Sequence, residues 1–84
     1  MNRTKRIKNI LEKHLLDFEI TVNDDSYSHK GHNNFNGNDE THIILELKKK
    51  SLTKHNRLVI HKKINTLLNK EFEMGLHSLQ IKII

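Results

Sequence analysis

Eighty-four residues, 35% hydrophobic and 30% charged, predict one small folded domain over 1–84, a size at which only about 60% of the unfolded chain's surface becomes buried. The absence of cysteine excludes a disulfide scaffold, a cysteine zinc site, a thiol nucleophile and a self-contained thiolate iron–sulfur centre. No apolar run exceeds three residues, which excludes a membrane-spanning helix, and the basic start lacks the apolar segment of a secretory leader. The formal charge of +5 is unevenly spread. Arg3, Lys5, Arg6, Lys8 and Lys13 against Glu12 give +4 over 1–13; Asp17, Glu19, Asp24, Asp25, Asp39, Glu40 and Glu46 against Lys30 give −6 over 17–46. Lys48, Lys49, Lys50, Lys54, Arg57, Lys62 and Lys63 give +7 over 48–63 with no acid. A basic protein is a candidate for nucleic acid, but this surface is polarised.

Along the chain, Ile7, Ile10, Leu11, His14 and Leu15 recur at the spacing of one helical face, with Thr4 as expected N-cap and an end near 16–17. Phe18, Ile20 and Val22 then alternate with polar residues as in a half-buried strand. Residues 24–40 are polar, rich in asparagine and carry Gly31 and Gly37, which predicts a long loop. Alternation returns through Ile43, Leu45 and Leu47, a second strand over 41–48. A basic connector leads to a helix whose apolar stripe is Ile60, Ile64, Leu67, Leu68 and Phe72, with Gly75 as its stop. A last strand is expected over 76–83, with His77, Leu79, Ile81 and Ile83 sharing one face. This order predicts an α+β domain with helices on one face of a three-stranded sheet.

Seven histidines are the compositional anomaly, since imidazole is a common metal ligand. His29 and His32 form an i, i+3 pair in the long loop, readable as a metal pair or as two solvated side chains. His42 alternates with Ile43, which places it opposite the core as a surface strand residue, and His61 lies beside the helical stripe as a boundary residue. His14 shares the face of Ile7 and Leu11, where a half-buried structural histidine is expected, and His55 receives no role. His77 follows Gly75-Leu76 at the start of a strand. There one ring nitrogen can face a visitor while the other meets an internal partner, as ligation requires. Catalysis has no support: no serine lies in G-x-S-x-G, no phosphate-binding glycine loop is present, and the adjacent acids Asp24-Asp25 and Asp39-Glu40 point apart when extended. The protein is read as a non-enzyme.

Four segments stand in register. Residues 24–32, Asp24-Asp25-Ser26-Tyr27-Ser28-His29-Lys30-Gly31-His32, resemble the D-E-S-x-x-H-x-G-H loop of the BolA-like protein family. Thr41-His42-Ile43 is similar to its T-H-F, Ile60-His61-Lys62 to its R-H-R, and Leu76-His77-Ser78-Leu79 to its I-H-A-L. The resemblance implies an α-β-β-α-α-β fold similar to class II KH domains, with a short extra helix near 52–56. It also implies a partner of monothiol glutaredoxins that shares a [2Fe–2S] cluster across the interface and assists cluster assembly, delivery or iron regulation. No cofactor is then expected in the isolated protein, a monomer alone and a heterodimer with its partner, in a bacterial cytoplasm or a mitochondrial matrix. By the same resemblance His77 is the regular cluster ligand and the second comes from the loop, His29 being the nearest match with His32 and His42 in reserve. The chain departs from the pattern at Ile60 and Lys62, where arginine is usual, at Ser78 in place of alanine, and at Lys49-Lys50-Ser51-Leu52 in place of F-x-G.

A different class of function is open to the same region. A short helix followed by a longer one, with Lys54, Arg57, His61, Lys62 and Lys63 along it, is the pattern of a helix-turn-helix transcriptional regulator that contacts DNA. The G-x-x-G loop by which KH domains clamp nucleic acid is absent.

Overall fold

The computed structural model describes residues 2–26 and 41–84. Helix α1 (Arg3–His14) is followed by strands β1 (Phe18–Asp24) and β2 (His42–Lys49), helices α2 (Arg57–Leu67) and α3 (Asn69–Glu73), and strand β3 (Ser78–Ile83). The strands form one sheet in the order β1-β2-β3. β1 and β2 are antiparallel, with Ile20 opposite Leu47 and Val22 opposite Leu45. β2 and β3 are parallel, with His42 beside Ser78 and Leu45 beside Ile81. The α+β architecture with the expected element order is therefore present.

The core follows from the two periodicities. Ile7, Leu11 and Leu15 of the first helical region and Ile60, Ile64 and Leu68 of the second close over Phe18, Ile20, Ile43, Leu45 and Leu47. The opposite face carries Glu19 beside Lys48 and Glu46 beside Lys82, opposite charges at paired positions. Leu79, Ile81 and Ile83 at the β3 edge are only half-buried.

Several local expectations are corrected. The α1 cap is Asn2, not Thr4: its Oδ1 accepts from the Lys5 amide at 2.9 Å and from the Thr4 hydroxyl at 3.0 Å. His14 is exposed, because the next residue, Leu15, takes the buried place on the stripe. No helix forms at 52–56. Its one large apolar residue, Leu52, is 99% exposed and has no face to bury, while Ser51 Oγ captures the Thr53 amide and Asn56 caps α2 through the Val59 amide. The second helix of the pair arises downstream, where the expected long helix breaks at Leu68 (φ −99°, ψ 13°). Just before it, Asn65 Nδ2 and Thr66 Oγ1 donate to the carbonyls of His61 and Lys62. Such side-chain bonds to the i−4 carbonyl bend a helix. Gly75, at φ +119°, permits the turn from α3 toward β3, a conformation L residues with a Cβ avoid.

Candidate functional site

The mouth of the β1–β2 connection and the start of β3 meet at one end of the sheet. Ser26 is 1% exposed and its amide donates to Asp24 Oδ1 at 2.9 Å, an Asx turn that ends β1. Its Oγ accepts from the amides of Thr41 at 2.8 Å and His42 at 3.1 Å, and the Asp25 amide donates to the His42 carbonyl at 2.7 Å. Thr41 in turn holds β3: its carbonyl accepts from the amides of His77 at 2.8 Å and Ser78 at 3.1 Å. A serine–threonine latch thus fixes the backbone at both His42 and His77.

The two imidazoles come together. Their ring centroids are 6.1 Å apart with planes inclined by 41°; His42 is half-buried and His77, one residue before β3, is exposed. Two imidazoles on one tetrahedral metal ion, with metal–nitrogen bonds of about 2.0–2.1 Å, place their centroids about 5 Å apart, so the pair stands about 1 Å wider than a shared-metal site. His42 Nδ1 lies 3.0 Å from Thr41 Oγ1. In the tautomer where Nδ1–H donates to that oxygen, the lone pair is on Nε2, the orientation of a ligating histidine held by its other nitrogen. A depression of about 120 Å³ lined by Asp25, His42, Ile43, Ile44, Ser78 and Gln80 adjoins the pair. Among the described residues no three His, Asp or Glu side chains gather as a metal site. Two nitrogen donors form half of the ligand set of a [2Fe–2S] centre and require a partner for the rest. His29 and His32 lie outside the described residues.

The basic residues do not form one patch. Arg57 and His61 line a groove with Leu58, Ile81 and Ile83, whereas Lys63 reaches back toward α1 and donates to the His14 carbonyl at 3.1 Å. Lys54 and Lys62 are exposed. No helix lies at 52–56, so the short helix expected ahead of the longer one at Arg57–Leu67 is absent from that place.

Two ionic clusters have no signature in the sequence because their members are far apart along it. Asp17 Oδ2 accepts from His55 Nε2 at 2.6 Å and Ser51 Oγ at 2.9 Å, and the His55 ring lies 4.7 Å from the Phe18 ring. The His55 bond, then the Ser51 bond, hold the Asp17 carboxyl below its usual range. Glu71 is gripped by Arg6 and Arg3. Both clusters fasten connections between elements: Asp17 ties the α1–β1 turn to the segment before α2, and Glu71 ties α3 to the start of α1.

The comparisons agree with this architecture. Residues 2–84 match the family model described as BolA-like protein. The chain is 35% identical over 82 residues to "Protein BOLA1, chloroplastic" of Arabidopsis thaliana, covering 95% of this chain and 51% of that protein. It is therefore similar to about half the length of that relative. It is also 37% identical over 84 residues to "UV-induced protein uvi31" of Schizosaccharomyces pombe, covering 96% of this chain and 82% of the other. The solved structure of BolA1 from Arabidopsis thaliana superposes with a TM-score of 0.79 at 31% identity, over 99% of this chain and 90% of that one. With the fold, the ordered histidine motifs and the family match in agreement, the chain belongs to the BolA-like protein family.

Proposed function

We propose that the protein is a non-enzymatic partner of a monothiol glutaredoxin, with which it co-ligates a [2Fe–2S] cluster during iron–sulfur assembly, delivery or iron regulation. The observation that carries this reading is the His42–His77 pair, two imidazoles 6.1 Å apart on backbone pinned by Ser26 and Thr41. Imidazole in place of thiolate is established chemistry at one iron of such a cluster and raises its potential. The glutaredoxin would supply its own cysteine and a glutathione thiolate, which accounts for a ligand chain without cysteine. His77 is assigned as one ligand. His42 is supported as the second by its place beside His77, and His29 by its match to the family loop.

Titration of a cluster-loaded monothiol glutaredoxin with this protein tests the reading. Wild type is expected to change the visible absorption and circular dichroism of the cluster. His77→Ala should abolish that change, and either His42→Ala or His29→Ala should alter it. A cluster spectrum that His77→Ala leaves identical to wild type overturns the assignment.

A further inference from the structure

The far end of β3 carries a surface that the histidine pair does not use. Arg57, Leu58, His61, Ile81 and Ile83 line an open groove of about 370 Å³ between α2 and the edge of the sheet. Leu58 is 62% exposed there, and Ile81 and Ile83 are half-buried. β3 is an edge strand, last in the order β1-β2-β3. The amides of Ser78 and Ile84 point inward, to the Thr41 and Leu47 carbonyls at 3.1 and 2.8 Å. Because backbone direction alternates with period two, the even residues between them also face β2. The amides and carbonyls of Leu79, Ile81 and Ile83 then face outward, along the rim of the groove.

We propose that this groove and strand edge dock an extended, acidic segment of a partner protein, added as a fourth strand beside β3. Strand addition takes its affinity from main-chain hydrogen bonds and its specificity from alternate side chains. Here alternate side chains of the guest would fall on Leu58, Ile81 and Ile83. Charge selects the guest: Arg57 lines the groove, Lys62 lies one helical turn beyond Leu58, and no acid is among the lining residues. The same charges oppose a second copy of this chain, which carries +5 itself. A nucleic-acid strand has no repeating amide to continue the ladder, and the chain lacks the G-x-x-G clamp.

The test uses a ten-residue synthetic peptide alternating valine with glutamate, its lysine-for-glutamate counterpart, and a ten-nucleotide oligothymidylate. Each is titrated into the isolated protein at low and at about 0.2 M salt and followed by amide NMR. The acidic peptide is expected to shift the amides of Leu79, Ile81 and Ile83 and slow their hydrogen exchange. The lysine peptide should do neither. Arg57→Glu and Leu58→Glu, both at exposed positions, should each weaken binding at least tenfold while leaving the rest of the spectrum in place. The proposal is overturned if the acidic peptide causes no edge shifts, or if the lysine peptide binds equally. It also falls if oligothymidylate is the stronger ligand at the edge, or if the edge amides shift with protein concentration alone. No cluster or glutaredoxin takes part, so the outcome is separate from that of the ligand test.

Discussion

At the residue scale, Glu71 shows how a few side chains tie distant parts of the chain. It is 3% exposed, with Arg6 Nε at 2.9 Å on one oxygen and Arg3 Nε and Arg6 Nη2 at 3.0 Å on the other. Arg3 also donates to the Met74 carbonyl at 2.8 Å, so the start of α1 holds the end of α3 just before Gly75. The Arg6 bond foremost, then the Arg3 bond, lower the Glu71 carboxyl below its ordinary 4.5, against the opposing effect of burial. As pH falls, the unfolded carboxyl takes up its proton first. This group's stabilisation is thus full at neutral pH, declines below about 4.5 and is lost once the folded carboxyl protonates. Glu71→Gln is expected to cost about 2 kcal/mol at pH 7, the scale of hydrogen bonds to charged groups, and to flatten the acid limb. Urea midpoints at pH 7, 5, 4 and 3 check both. Equal acid limbs in the two proteins would remove Glu71 from the account.

At the scale of elements, the histidine site depends on how β1, β2 and β3 are joined. Ser26 Oγ accepts from two amides, that of Thr41 in a buried bond and that of His42 in a half-buried one, and the Thr41 carbonyl passes the same constraint to β3. Ser26→Ala removes the acceptor and keeps the volume nearly unchanged. A loss of about 2 kcal/mol or more is expected, since each orphaned buried amide costs about 1–3 kcal/mol. Faster hydrogen exchange at Thr41 and His42 than elsewhere in β2 would identify the latch as the cause. Uniform acceleration across β2 would show a general loss of stability instead.

For the whole molecule, charge placement bears on the choice of partner. Lys63 is engaged with α1, while Arg57 and His61 turn toward the β3 groove, so the +7 stretch is divided between two flanks. Binding to duplex DNA is expected to be weak and indifferent to sequence, and to fall steeply between about 50 and 200 mM salt, as phosphate contacts do. Gel shifts on several duplexes across that range check this. Sequence preference surviving at about 0.2 M would favour the regulatory role instead. No described helix is long and apolar enough to cross a membrane.

Local periodicity made the helix–strand–strand–helix–strand order legible, because alternation and helical spacing report which face of each element is buried. The stripes of Ile7 and Leu11 and of Ile60, Ile64 and Leu68, and the alternation of Ile43, Leu45 and Leu47, all reach the core. The four motifs at 24–32, 41–43, 60–62 and 76–79 likewise carried the family resemblance, since their order and spacing are properties of the chain alone. Tertiary structure decided what depends on contacts distant in sequence. It moved the short helix from 52–56 to Asn69–Glu73, because a segment with only Leu52 to bury gains nothing from helicity. It gave His55 a role through Asp17 and exposed His14. It also set His42 beside His77, thirty-five positions away, because parallel pairing of β2 with β3 starts both strands at the same end of the sheet.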